Sequence, residues 1–368
     1  MARILVLGVK VPFSHGGQDV LVATLVKELI RRGHEADVIA LPYNPLPKQN
    51  LITQAAMWRA LDLENFCGKE IDLVIATKFP SYYARHPRKS VWLVHQQRSI
   101  YELYGTQYSD IGDDPRDEAM RRMLTDGDLK VLGECVYRSS ISKNVADRLE
   151  MFNGLSSEVL YPPLPLGNSY RCDKSEPYIL SVGRICRIKR LDMMINALAQ
   201  CPGLRLKVVG VADEPDAMEF FANEVRKHDL GARVEFLGRV DDQELLNLYA
   251  RSLAVFYAPF NEDYGYVTLE AMASGKPLIT AVDSGGTLEF VQDGYNGFVV
   301  QPNPEAVAQV CNRLCADVRF AESIGSQGRK FIEQAGIMES GWDRVIERLL
   351  SPLGPDATCV AQGAAVGS

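Results

Sequence analysis

The chain of 368 residues is notable first for what it lacks. No stretch approaches the roughly 20 apolar residues needed to span a bilayer. The apolar run near the N-terminus, Ile4 to Val9, is too short for a signal peptide, and no cleavage pattern follows it. The expected location is therefore the cytoplasm, with the inner membrane surface open only to peripheral association. The eight cysteines, at 67, 135, 172, 186, 201, 311, 315 and 359, form no Cys-x-x-Cys pair, which argues against a zinc or dithiol motif. They read as free thiols in a reducing compartment, with Cys311 and Cys315, one helical turn apart, as core packing. An excess of basic charge is missing too: 40 Lys and Arg against 47 Asp and Glu leave a net charge of −7 and no basis for general nucleic-acid affinity. Nor is there a Gly-x-Gly-x-x-Gly dinucleotide fingerprint.

What remains is a globular composition, 46% hydrophobic and 24% charged, in a length that favours two domains. The first half alternates strand and helix signals. Arg3–Val9 is a short apolar run of the kind a buried parallel strand shows. Gly16-Gly17 follows, then an amphipathic helix over 19–32 ended by Gly33. Strands are expected at 36–41, 71–76, 91–94, 137–142 and 158–161, with a helix over 145–152. Pro162, Pro163 and Pro165 interrupt the pattern, and the segment to Pro177 reads as a linker. Strands then recur at 178–182, 206–209, 234–237, 254–257 and 277–281. Repeated βα units imply parallel sheets covered on both faces. The expected fold is α/β, with two Rossmann-like domains facing across a cleft: residues 1–162, residues 163–340, a C-terminal helix over 341–351, and a disordered tail over 352–368. In such sheets ligands bind beyond the carboxyl ends of the strands.

Several candidate sites fall at those ends. Phe260-Asn261-Glu262-Asp263-Tyr264-Gly265-Tyr266-Val267-Thr268-Leu269-Glu270 places Glu262 in a loop after a strand and Glu270 about one turn inside the following helix. The helix start at Gly265, Tyr266 and Val267 presents backbone N–H groups and a positive dipole end, a ready phosphate site. A carboxylate one turn inside can accept from a pair of sugar hydroxyls. Gly183-Arg184-Ile185-Cys186-Arg187-Ile188-Lys189-Arg190 brings four cations to another strand end. Arg184 can fork onto phosphate oxygens and Lys189 can add a point charge, neutralising a leaving diphosphate. Arg187 and Arg190 read as solvated surface. Pro12-Phe13-Ser14-His15-Gly16-Gly17 is a βα loop whose glycines permit close backbone approach to a ligand. His95 and Lys78 each end an apolar strand. Asp126-Gly127-Asp128 spells a metal-binding Asp-x-Asp pattern but lies in a charged stretch that follows no strand, and reads as a surface turn. Arg85, His86, Arg88, Lys89 and Arg98, near Tyr82, Tyr83 and Trp92, form either a lipid-phosphate patch or a solvated loop.

Taken together these segments resemble the GT4 family of retaining glycosyltransferases, which have the GT-B fold. The resemblance rests on the E-x7-E motif with its Glu-Ala-Met run and Gly275-Lys276-Pro277 turn, on Gly16-Gly17, Gly183-Arg184 to Lys189, Gly238-Arg239-Val240 and Ser284-Gly285-Gly286, in order along most of the chain. It implies that Glu262 contacts the donor sugar, that Glu270 holds the ribose, and that Arg184 and Lys189 bind the pyrophosphate. It further implies that Gly17 and Ser284–Thr287 lie near the phosphates, that Val240 and Phe260 pack around the base, and that His95 contacts donor sugar or phosphate. Two positions depart from the family pattern: Arg190 where glycine is common, and Gln96 after the histidine. The implied reaction is metal-independent transfer of a hexose from a UDP-hexose, or a GDP-hexose, to a glycan or lipid-linked acceptor, with no resident cofactor. Tyr101, Tyr104 and Tyr108 are candidates for shaping acceptor choice. A sugar-nucleotide epimerase, a sugar phosphorylase and a non-catalytic nucleotide-sugar-binding protein stay open as alternatives.

Overall fold

The computed structural model describes residues 1–13, 16–338 and 341–354. The chain forms two compact units, Met1–Pro165 together with the chain from Gly341, and Leu166–Ser340.

The first unit runs β1 (Arg3–Lys10), α1 (Gly17–Arg31), β2 (Glu35–Pro42), α2 (Asn50–Ala60), a short hairpin of β3 (Asn65–Phe66) and β4 (Lys69–Glu70), β5 (Leu73–Lys78), β6 (Lys89–His95), α3 (Pro115–Gly133), β7 (Tyr137–Ser140), α4 (Lys143–Asn153) and β8 (Glu158–Val159). Its six-stranded sheet has the order β2-β1-β5-β6-β7-β8, and every pair is parallel. The apolar runs form the central strands because both sheet faces are covered: Val6, Leu7, Leu73, Val74, Ile75, Val91, Trp92 and Leu93 are fully buried. Local signals set the helix ends. Asp19 reaches back to the Gly16 N–H at 2.9 Å to start α1. Asp114 caps α3 ahead of Pro115, and Ser142 caps α4, which stops at left-handed Gly154.

The second unit runs β9 (Tyr178–Val182), α5 (Leu191–Leu198), β10 (Arg205–Val209), α6 (Ala217–Lys227), β11 (Val234–Gly238), α7 (Asp242–Arg251), β12 (Ala254–Phe256), α8 (Tyr266–Ala273), β13 (Leu278–Ala281), β14 (Gly297–Val300), α9 (Pro304–Ala316) and α10 (Val318–Gln334). Its parallel sheet has the order β11-β10-β9-β12-β13-β14. The order reverses between β9 and β12, the switch point where doubly wound sheets bind ligands. A core of Ile179, Leu206, Val208, Phe221, Phe256 and Ile279 packs the helices onto the sheet, with Cys201 and Cys311 buried in it. The seven cysteines among the described residues are free thiols.

The last helix, α11 (Gly341–Leu349), belongs to the first unit. Trp342 meets Trp92 edge to face at 6.1 Å, and Arg348 donates to Glu158 at 2.6 and 2.9 Å.

Three expectations need correction here. The unit boundary falls after Pro165 rather than Pro162. The segment read as a linker is docked onto the second unit: Tyr170 is buried, the Asp173 and Glu176 N–H groups donate to the carbonyls of Ala250 and Arg251, and Lys276 Nζ donates to Asp173 O at 2.9 Å. Pro-rich composition broke the periodicity there without freeing the chain. Finally, Ser351–Leu353 is a 3₁₀ turn where the tail was expected to begin, and residues 355–368 lie outside the described residues.

Candidate functional site

At the β9/β12 switch point the chain turns at Gly183 and projects Arg184. A small pocket there is lined by Ser181, Gly183, Arg184, Lys189, Phe256 and Tyr257. The Arg184 guanidinium forms an ion pair with Asp213, in the loop after β10. Lys189 ends a 3₁₀ turn over Arg187–Lys189, which aims its ammonium inward: Nζ donates to the Tyr257 hydroxyl at 2.9 Å and forms an ion pair with Glu262. Lys189 and Glu262 are both largely buried, so their attraction is screened little by solvent. Burial, and secondarily the Glu262 carboxylate, pushes the Tyr257 phenol well above its ordinary value.

Glu262 is held by a backbone ladder. Asn261 N–H donates to Asp283 O at 2.9 Å, Glu262 N–H to Ser284 O at 3.1 Å, and Gly286 N–H to Glu262 O at 2.8 Å. A Cβ at Gly286 would stand 2.4 Å from the Asp263 carbonyl oxygen, so only glycine permits this approach. The Ser284–Thr287 loop thus acts as the second strand of the Glu262 support. The chain then enters α8 through Gly265, with Tyr266 and Val267 in the first turn, where backbone N–H groups have no acceptor inside the helix.

Glu270 lies on α8, half-buried. Its oxygens accept from two phenols, Tyr249 on α7 at 2.6 Å and Tyr170 at 3.3 Å. Burial raises the Glu270 pKa, while the two hydroxyls pull it back down. Val240, just past β11, is half-buried. Phe260 donates its N–H to Ile188 O at 2.9 Å, which ties the Glu262 loop to the Lys189 turn. The second unit therefore brings Arg184, Lys189, Glu262 and Gly265 around Tyr257, with Glu270 further along α8.

In the first unit, Gly17 opens α1 beside the loop after β1; Ser14 and His15 of that loop lie outside the described residues. Lys78 and His95 are register partners at the ends of β5 and β6. His95 Nδ1 lies 2.5 Å from the Gln96 carbonyl oxygen. A carbonyl only accepts, so Nδ1 carries the proton.

Other readings change. Asp126-Gly127-Asp128 is no surface turn: Asp128 lies inside α3, wholly buried, with its oxygens taken by three phenols. One of these is Tyr101, which is buried in that cluster and so is not an acceptor-facing residue. Lys89 leaves the basic cluster, since its ammonium is 1% exposed and donates to the carbonyls of Tyr82 and Val131. Arg190, read as solvated surface, is largely buried on Asp283. Arg187 does sit at the surface, paired with Asp216. Sequence reasoning missed Asp213, Tyr170, Tyr249 and Tyr257. Tyr257, directly after an apolar strand and before Pro259, had a position that could have marked it; the others are brought in from distant segments.

The chain has the GT-B fold: it superimposes on sucrose-phosphate synthase from Thermosynechococcus elongatus with a TM-score of 0.79 at 19% identity, covering 95% of this chain and 99% of that one. It also matches Anabaena HepE, solved with UDP and glucose, with a TM-score of 0.71 at 19% identity, over 95% of this chain and 100% of that one. Residues 168–331 match the family described as glycosyl transferases group 1. An uncharacterized glycosyltransferase of Methanocaldococcus jannaschii is 25% identical over 91% of this chain and 93% of its own length. The second unit thus carries a glycosyl transferases group 1 domain, and most of the chain is similar to a glycosyltransferase.

Proposed function

We propose that the protein transfers a hexose, with retention of anomeric configuration, from a nucleotide-diphosphate sugar to a glycan or lipid-linked acceptor. The observation that carries this is the convergence of Arg184, Lys189, Glu262 and the N-terminus of α8 at one switch point, with Glu270 one turn further on. In this reading Glu270 accepts the ribose hydroxyls, and Val240 and Phe260 flank the base. The diphosphate lies against Arg184, Lys189 and the N–H groups of Gly265, Tyr266 and Val267, and Glu262 orients the sugar. A UDP-hexose is the favoured donor, with a GDP-hexose the other arm of the test; the Anabaena relative in fold was solved with UDP and glucose. Acceptor contacts fall to Gly17, Lys78 and His95 of the first unit. The setting is polysaccharide or lipid-linked glycan assembly in the cytoplasm, including the inner membrane surface; among the described residues no helix is long and apolar enough to cross a membrane.

The chemistry follows from the charges. Bond breaking at the anomeric carbon moves negative charge onto the leaving diphosphate, where two cations and a helix N-terminus stabilise it. The acceptor oxygen attacks from the face the diphosphate leaves, and a phosphate oxygen takes its proton. No protein nucleophile, metal or resident cofactor takes part in this scheme. Because Lys189 and Glu262 are paired with each other, donor binding trades part of that pair for phosphate and sugar contacts.

The test incubates the protein with α-configured UDP-glucose or GDP-mannose and follows nucleoside diphosphate release, with NMR of the sugar product at early times. The expected result is release from one nucleotide class and an α-product. A β-product contradicts retention. Donor conversion without diphosphate release would make the protein an epimerase, release that requires inorganic phosphate a phosphorylase, and binding without turnover a binding protein.

A further inference from the structure

We propose that Arg190 is a positioning residue that clamps the two backbone segments holding Glu262, a role that rests on the donor-site reading above. Arg190 follows Lys189 directly and adopts φ 54° and ψ 40°. That left-handed conformation crowds any residue with a Cβ, and glycine adopts it freely. An arginine here needs a compensating gain, and its side chain supplies one.

The guanidinium is largely buried, and it spends its donors on two other strand ends. Nε donates to Ala258 O at 2.7 Å and Nη2 to Pro259 O at 2.9 Å, both on the segment leaving β12. Nη1 and Nη2 fork onto the Asp283 carboxylate at 2.8 and 2.7 Å, in the loop leaving β13. The side chain itself springs from the turn after β9. Such a bidentate, charge-assisted fork is directional as well as strong.

The placement matters because of what comes next along each segment. The chain from Pro259 runs through Phe260 and Asn261 to Glu262, and the chain from Asp283 runs through Ser284 to Gly286. These are the two rails of the ladder that fixes Glu262. Arg190 bolts both rails together at their base, immediately beside Lys189, the partner of Glu262. Rate depends on holding such groups within a fraction of an ångström of their productive positions. Arg190 touches none of the reacting atoms in this scheme; it acts through Glu262 and Lys189. Lysine, a single point charge without the planar fork, cannot reproduce the contacts.

The experiment uses the full chain with Arg190→Gly, Arg190→Lys and Asp283→Asn. Glycine accepts the backbone conformation, and Asp283→Asn keeps shape while removing the charge, so a folding failure in one leaves the other to decide. Amide hydrogen exchange is read at Glu262 and Gly286, together with kcat and KM for nucleotide-sugar turnover. Exchange at both amides should quicken by about 10-fold or more in all three variants. Turnover should fall by about 10-fold in kcat with KM changed less than about 3-fold, and the Arg190→Gly/Asp283→Asn double variant should be no worse than the worse single one. Unchanged exchange at Glu262 and Gly286 overturns the clamp, as does full protection in Arg190→Lys. A wild-type protein that turns over no nucleotide sugar overturns the donor reading instead, and the exchange data still decide the clamp.

Discussion

Each unit sets one carboxylate among tyrosine hydroxyls, and the two settings differ in how completely they are closed. Asp128, in the first unit, is wholly buried inside α3 and accepts from Tyr82 at 2.8 Å, Tyr83 at 2.7 Å and Tyr101 at 2.8 Å. Gly127 beside it lets Tyr83 lie against the helix, since a Cβ there would stand 2.7 Å from the Tyr83 hydroxyl oxygen. Glu270, in the second unit, accepts from Tyr249 and Tyr170 but keeps a partly open surface. An ionised carboxylate offers about four lone-pair sites. With three of them occupied and no solvent access, Asp128 anchors a core. With two occupied and an open side, Glu270 can exchange or add hydroxyl partners, which is what ribose recognition requires. Closure of the hydrogen-bonding shell, and not the presence of a buried acid, separates the anchor from the proposed binding group.

This contrast can be broken most forcefully at Asp128. Asp128→Ala leaves three buried hydroxyls without their acceptor, at about 1–3 kcal/mol for each unsatisfied group, so a loss of about 3 kcal/mol or more in urea unfolding is expected. A loss below about 1 kcal/mol would show that the cluster is not an anchor. A smaller effect comes from pH. Burial raises the Asp128 pKa to about 7, against the opposing pull of the three phenols. The unfolded value is near 3.9, so between about pH 4 and 7 the folded chain binds more protons than the unfolded one. Stability from this group is therefore lost as pH rises through that window. Asp128→Asn cannot titrate, and its Tm relative to wild type should climb from pH 5 to pH 8; parallel profiles would refute the assignment.

The same contrast explains what could be read from the residues alone. The strands of both sheets are short apolar runs between turn glycines and prolines, a local pattern, and most lie within a residue or two of where that pattern places them. The Glu262–Glu270 segment was legible because strand, loop, glycine and helix follow one another without interruption. The tyrosine shells were not legible. Tyr82 and Tyr83 come from the turn after β5, Tyr101 from the loop after β6 and Tyr170 from a proline-rich stretch, and they meet their carboxylates only through the sheet order. Asp128 looked like surface because charged neighbours surround it in sequence, while in α3 Asp126 is exposed and Asp128 faces inward. Strand β14 was not anticipated: it opens on Gly297, and its apolar run is only Phe298 to Val300. The burial of Arg190 is not legible for a related reason: its acceptors lie far along the chain, at Ala258, Pro259 and Asp283.

The most direct measurement is calorimetric titration of the full chain with UDP-glucose, GDP-mannose and ADP-glucose, for wild type and Glu270→Ala at neutral pH. The account predicts binding of one nucleotide class, weakened about 10- to 100-fold by the substitution, as the loss of one or two hydrogen bonds to a charged group implies, in a protein that stays folded although the buried Tyr249 and Tyr170 hydroxyls lose their acceptor, at about 1–3 kcal/mol for each. Equal affinity in wild type and Glu270→Ala, or no binding of any of the three by folded protein, would contradict it.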